Sequence, residues 1–201
     1  MVEESTKSLS ERQGTLMKIT TIGRGTIGGT LGRLWTSAGH EVTQLGRAGG
    51  DAAGADVVLL AVPNQAVPAA LAGVTGLRGK VVIDATNRLG GEAPPTGYPS
   101  IAEYVKATTS GPTAKAFNLN YGKLLDQAAA ASTRPGNIWV GDEGARAVVE
   151  QLSRDIGMQA LNGGPLERAA TQEAFGYILN SIVKDTGEGL VFYRFAAPQN
   201  F

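Results

Sequence analysis

The hydrophobic and polar positions change period repeatedly along the chain. Lys18-Ile19-Thr20-Thr21-Ile22 is a short β-branched run that predicts a strand. Beyond the glycines that follow, Ile27, Leu31, Leu34, Trp35 and Ala38 recur at helical spacing, until Gly39-His40 stops the helix. Glu41–Leu45 reads as a second strand, and Asp56–Val62 as a fully buried parallel strand ended by Pro63-Asn64. Residues 65–73 predict a short helix with Pro68 in its first turn, and 80–85 another buried strand. Residues 89–99 are rich in Gly and Pro without a period, a loop and candidate lid.

Ser100 is placed to cap a helix over 101–107, and 113–117 predicts a strand. Residues 123–131 read as helical and 137–140 as a strand. Asp142 is expected to cap a helix buried through Ala145, Val148, Val149, Leu152 and Ile156. After a short strand at 158–161, a long helix runs from Leu166 through Phe175, Ile178, Leu179, Ile182 and Val183. Gly187 and Gly189 break it before the aromatic segment 190–195. Glu167, Arg168, Glu173, Asp185 and Glu188 on this terminal segment read as its solvated face.

Strands alternating with helices predict an α/β fold, a Rossmann-type doubly wound parallel sheet with a C-terminal helical segment. Only eight small residues, Ala48 to Ala55, separate the second strand region from the next apolar run. A parallel crossover with a helix and a strand needs a dozen or more. The sheet is therefore expected to be shortened by loss of the helix and strand after the second strand, leaving the adenosine end of a bound nucleotide open. The expected organisation is a polar tail over 1–14, a dinucleotide-binding domain over 15–165, and a helical segment over 166–201 that packs on that domain or on a second subunit.

The link between the first strand and first helix changes the picture from fold to chemistry. It reads Gly23-Arg24-Gly25-Thr26-Ile27-Gly28, a Gly-x-Gly-x-x-Gly turn between a strand and a helix. This arrangement receives a dinucleotide pyrophosphate on backbone N–H groups at the helix start. A nucleotide fold selective for NAD carries an acid at the end of the second strand. Gln44-Leu45-Gly46-Arg47 carries none there. Arg47 offers a guanidinium to a 2′-phosphate, with Arg24 as a second cation, so the expected nucleotide is NADP(H).

Composition narrows the rest. Lys plus Arg and Asp plus Glu are 18 each, so the net charge is zero, which argues against nucleic acid or an anionic membrane as partner. There is no cysteine, which excludes disulfides and thiolate metal sites. No metal-ligand cluster stands out, no apolar stretch reaches spanning length, and no signal core precedes the first strand. A cytoplasmic location is the expectation. Residues able to point into a ligand crevice are Asn64, Thr86, Asn87, Asn118, Asn120 and Tyr121. Amides hydrogen-bond well and are poor general acids, leaving Asn118 and Tyr121 as the weak catalytic candidates. His40, the single histidine, lies away from the ligand edge and reads as structural. Such a site suits hydride transfer between two bound rings.

The glycine turn, Gly39-His40-Glu41-Val42, Gly46-Arg47, the run from Asp56 to Pro63, Lys115-Ala116-Phe117-Asn118 and Gly163-Gly164-Pro165-Leu166 occur in order. Together they resemble the NADPH-dependent coenzyme F420 reductases over residues 18–195. The resemblance implies a homodimer in which hydride passes between the nicotinamide of NADP(H) and a deazaflavin. It implies that Gly23, Arg24, Gly25, Thr26, Ile27 and Gly28 hold the pyrophosphate. Arg24, Gly46 and Arg47 would surround the 2′-phosphate, Ala61, Val62 and Pro63 would line the ribose, and Ala116, Phe117 and Asn118 would border the reacting rings. Residues 118–121 depart from the histidine and proline of that family's deazaflavin contact, and the acceptor is left as coenzyme F420 or flavin. Reduction of a small carbonyl or imine with Tyr121 as donor, and a non-catalytic NADP(H)-sensing module, are the competing expectations.

Overall fold

The computed structural model describes residues 14–88, 97–187 and 189–198. Strand β1 (Lys18–Ile22) leads through the glycine turn into helix α1 (Thr26–Ser37) and back to β2 (Glu41–Leu45). Then come β3 (Gly50–Asp51), β4 (Val57–Leu60), α2 (Val67–Ala72), β5 (Val74–Thr75), β6 (Val81–Asp84) and α3 (Ile101–Thr109). The chain continues through β7 (Thr113–Lys115), β8 (Gly136–Gly141), α4 (Arg146–Asp155), β9 (Gln159–Asn162) and α5 (Ala169–Thr186). Seven strands form one sheet in the order β2-β1-β4-β6-β7-β8-β9. All neighbours are parallel except β7 and β8, which pair antiparallel. This is the Rossmann-type α/β fold expected from the alternation of periods.

The shortened edge is borne out. β2 ends the sheet, and the chain returns from it to β4 without a crossover helix. In that helix's place, β3 pairs with β5 as a two-stranded parallel ribbon, and Ala52 and Ala55 pack with Val58, Leu60, Val67, Leu71 and Ile101. The opposite face of the sheet is covered by α1 and α4, where Leu31, Trp35, Val149, Leu152 and Ile156 join Ile19, Leu59 and Phe117. Two layers of helix around a buried parallel centre place the carboxyl ends of β1, β4 and β6 along one edge.

The link before antiparallel β8 is helical within the expected 123–131, as a 3-10 helix over Leu125–Ala130. Two local expectations are corrected. Asp142 does not cap α4; its carboxylate accepts from Thr113 N at 2.9 Å and from Lys106 Nζ at 2.5 Å, tying β7 to α3. Glu173 is not on a solvated face: its side chain is 4% exposed and pairs with Lys115. Glu167, Arg168 and Asp185 are exposed as expected. Ser100 caps α3, its Oγ accepting from Glu103 N at 3.2 Å. His40 is structural: Met17 N donates to Nδ1 at 3.1 Å, and Nε2 lies 3.0 Å from Asp155. Residues 89–96 of the candidate lid, the tail over 1–13 and Glu188 lie outside the described residues.

The described residues 189–197 after α5 form no helix or strand, yet the segment is fixed to β8. Tyr193 O accepts from Gly136 N at 2.6 Å, and Ile138 N donates to the Tyr193 phenol oxygen at 3.0 Å. Burial pushes the Tyr193 phenol up to about 12, against the opposing hydrogen bonds from Ile138 and Asn120. The unfolded phenol titrates near 10. The raised value means a stability contribution fully present below pH ~10 and lost as pH rises through about 12. The Tyr193 phenol should therefore ionise as a late phase near pH 12 in an ultraviolet titration. Tyr193→Phe should remove that late phase, and orphaning Ile138 N should cost ~1–3 kcal/mol in urea unfolding.

Candidate functional site

The glycine turn is built by close approach. Gly23 has φ +108°, and a Cβ there would lie 2.2 Å from Ala61 O at the end of β4. Its N–H donates to Leu45 O at 3.0 Å, which seats the turn between β2 and β4. A Cβ on Gly28 would meet Gly23 O at 2.2 Å, so α1 sits directly against the turn. Gly25, by contrast, has nothing within 4 Å of its Cβ position and starts α1 without a side-chain cap or an acid in the first turn. The outcome is a helix start whose N–H groups face open space, the backbone requirement for holding phosphate.

Beside it lie the two arginines. Arg24 is exposed and its guanidinium covers Gly46: a Cβ on Gly46 would lie 2.6 Å from Arg24 Nη2. Arg47 is the next residue and is also exposed. Among the described residues neither forms an ion pair. Two exposed cations thus flank the end of β2, beside the shortened sheet edge, with no carboxylate paired to either among the described residues.

A cavity of about 630 Å³ opens along the carboxyl ends of β1, β4, β6 and β7. That volume suits one drug-sized ligand or part of a larger one. Gly25, Thr26 and Ile27 line one side, Ala61, Val62 and Pro63 continue it, and Thr86 and Asn87 follow β6. The stretch 117–122 and three residues of α5, Gly176, Leu179 and Asn180, complete the walls. Tyr121 is the one ionisable side chain among these lining residues.

Phe117 shapes this edge. It adopts φ +61°, unusual for a residue with a side chain, and its ring packs edge-on against Trp35 with centroids 5.7 Å apart. Its N–H donates to Asn137 Oδ1 at 3.0 Å, which holds the left-handed turn in place. The chain then bends back along the cavity. Asn87 and Asn118 clasp each other, with Asn87 Nδ2 donating to Asn118 O at 2.5 Å and Asn118 Nδ2 to Asn87 Oδ1 at 2.9 Å. Gln172 Nε2 on α5 donates to Asn118 Oδ1 at 2.7 Å. Asn64 is buried and its Nδ2 has no acceptor among the described residues, an orphaned donor in the cavity wall.

Of the residues expected from sequence, Gly25, Thr26, Ile27, Ala61, Val62, Pro63, Asn87, Asn118 and Tyr121 meet in this cavity. Gly23 and Gly28 build the turn beneath it, while Arg24, Gly46 and Arg47 lie outside it on the adjoining surface. Ala116 is fully buried in the core and does not line the cavity; its neighbour Phe117 does. Sequence reasoning missed Asn180, Gln172 and a buried ion cluster below the floor. Lys115 Nζ lies 2.7 Å from Asp84 Oδ2 and 2.6 Å from Glu173 Oε1. Asp84 Oδ1 accepts from Thr86 N and Oγ1, and Arg88 Nε approaches Glu173 Oε2 at 3.4 Å, within ion-pair distance but without hydrogen-bond alignment. A lysine inside an otherwise apolar strand was the available signal.

Tyr121 O–H donates to Asn180 Oδ1 at 2.9 Å, and burial raises its phenol above the ordinary tyrosine value. Its proton is thus engaged by the protein. The lining offers hydrogen bonds and apolar surface, with no second acid or base. No described helix is long and apolar enough to cross a membrane.

Comparison with known proteins agrees with this geometry. Residues 47–88 match the model of the family described as NADP oxidoreductase, coenzyme F420-dependent. The family resemblance read from the sequence is thus borne out over that segment, which runs from Arg47 through β4 and β6 to Arg88. No curated protein sequence matches the chain. Among solved structures, a candidate F420-dependent NADP-reductase from Arthrobacter sp. FB24 superposes with a TM-score of 0.74 at 24% identity, covering 90% of this chain and 100% of that one. A reductive aminase from Aspergillus terreus, solved with NADPH and ethyl levulinate, gives 0.62 at 18%, over 86% of this chain and 63% of that one. An imine reductase from Pseudomonas sp. gives 0.63 at 14%, over 86% and 64%. At these identities the likeness establishes the shared fold.

Proposed function

We propose, from the premise that residues 47–88 match the F420-dependent NADP oxidoreductase family, that this protein is an NADP(H)-dependent oxidoreductase. It transfers hydride between the nicotinamide and a flat redox cofactor, deazaflavin F420 or flavin. The observation that carries this reading is the cleft itself: it lies at the carboxyl edge beside an open helix start, and its one ionisable lining side chain already gives its proton to Asn180. Bound NADPH supplies the hydride. The chain's part is to bind and align: the α1 start takes the pyrophosphate, Arg24 and Arg47 take the 2′-phosphate, and the amides of Asn64, Asn87 and Asn118 orient the polar edges of the rings. Hydride passage between two rings needs no strong protein acid, which fits a wall of amides.

Residues 15–165 form the nucleotide-binding unit in this reading, and Gly176, Leu179 and Asn180 of α5 supply the acceptor wall. The same helix α5 exposes Tyr177, Ile178 and Ile182 at 48%, 54% and 43% on its outer side. That apolar stripe is the face through which two copies pair as a homodimer, working in the cytoplasm.

A second reading is favoured by the Tyr121 phenol in the cleft and the fold shared with imine reductases: reduction of a small imine or carbonyl with Tyr121 as proton donor. Anaerobic stopped-flow of NADPH with F420, FMN and FAD in turn tests the proposal. NADPH oxidation by at least one of them is expected, with Tyr121→Phe retaining turnover. Tight NADPH binding without oxidation by any acceptor would instead identify a sensing module.

A further inference from the structure

We infer that Tyr121 and Asn180 form a bridge across the cleft that sets which acceptor ring the protein admits, an inference that rests on the hydride-transfer reading above. The two residues sit on opposite walls. Tyr121 belongs to the loop after β7, Asn180 to α5, and both line the same cavity. Their 2.9 Å hydrogen bond is a second side-chain link between loop and helix, beside that of Gln172 to Asn118, and it lies in the cavity lining, so the acceptor shares the cleft with it.

Each wall is independently anchored, which gives the bridge a defined span. On the loop side, Asn118 is held by Asn87 and Gln172. Gly122 abuts the first turn of α1, where a Cβ would lie 2.8 Å from Thr26 Cγ2 and 3.0 Å from Ile27 Cδ1. On the helix side, Glu173 is bound to Lys115 at 2.6 Å, two turns before Asn180. The loop therefore cannot retreat toward α1, nor α5 slide along the sheet, without breaking buried contacts. The phenol and the amide are both neutral, and nothing in the lining attracts an acceptor by charge. Selection then rests on the room left beside the bridge. Substituents on the acceptor ring, which differ between deazaflavin and flavin, are what that space discriminates.

The test compares wild type, Tyr121→Phe, Asn180→Ala and Asn180→Asp with F420, FMN and FAD, measuring kcat and KM for each acceptor and the Kd of NADPH. Wild type should favour its best acceptor over its worst by about tenfold or more, the scale set by one or two ring contacts. Tyr121→Phe and Asn180→Ala should each compress that ratio about fivefold through acceptor KM, with the NADPH Kd within about twofold. Asn180→Asp keeps an oxygen to accept from the phenol; its added negative charge should weaken all three phosphate-bearing acceptors together while the ratio between them is compressed less than in Asn180→Ala. Ratios unchanged in both bridge-breaking variants of an active enzyme would overturn the bridge alone. Turnover abolished in Tyr121→Phe but kept in Asn180→Ala would assign Tyr121 to proton donation and also overturn it. Absence of NADPH oxidation by wild type with all three acceptors would remove the hydride-transfer reading, and this inference with it.

Discussion

Lys115→Met should destabilise the protein by about 3–5 kcal/mol, the cost of stranding buried charge by removing its partner. Lys115 and Asp84 side chains are 0% exposed and Glu173 is 4% exposed. With the ammonium gone, two carboxylates from β6 and α5 face each other across an apolar gap. Thr86 still serves Asp84 Oδ1, but Glu173 keeps only Ile101 N and the oblique approach of Arg88. Urea unfolding measures the loss, which should appear as a melting temperature lower by on the order of 10 °C. Adding Glu173→Gln should recover part of it, because the second stranded charge is removed. The damage should also reach the cleft: Glu173 anchors α5, which carries Gly176, Leu179 and Asn180 into the wall. A Lys115→Met protein as stable as wild type would mean that the cluster is solvated in solution.

Replacing Arg24 and Arg47 together by Gln should weaken NADPH binding about a hundredfold while leaving NADH binding within about threefold. Each charge-assisted contact to a phosphate is worth roughly 1.5–3 kcal/mol, and tenfold in Kd is about 1.4 kcal/mol. The discount from the upper bound reflects exposure of both side chains. Neither guanidinium group pairs with an acid among the described residues, so their removal should not destabilise the fold. Raising salt should narrow the NADPH preference in wild type and not in the double variant, because the contacts lie at the surface.

Much of this architecture was legible from residue spacing. The β1–turn–α1 unit is a local object: its strand period, its glycines and its helical stripe are all written within twenty-odd residues, and each is enforced by contacts within that unit or with the neighbouring strand. The shortened edge was legible too, because eight residues cannot build a crossover. What local pattern could not reveal was pairing between distant segments. α5 is the clearest case. Its inward stripe is Ala169, Gln172, Glu173, Gly176 and Leu179, while Ile178 and Ile182 point outward. Apolarity therefore did not identify the buried face, since Glu173 is buried by its match to Lys115 and Gln172 by three acceptors in the sheet and loop. The antiparallel entry of β8 was hidden for a related reason. Its preceding link is long enough for a helical crossover but forms only a 3-10 helix, and the direction is set by the pairing of Lys115 with Val140.

The claim beneath both the nucleotide and the chemistry is that two unpaired guanidinium groups at the end of β2 receive a phosphate on the adenosine ribose. Isothermal titration of wild type with NADPH and with NADH, at one salt concentration, measures this directly. NADPH binding at least tenfold more tightly than NADH is the expected result; equal affinity, or no binding of either, would contradict the account.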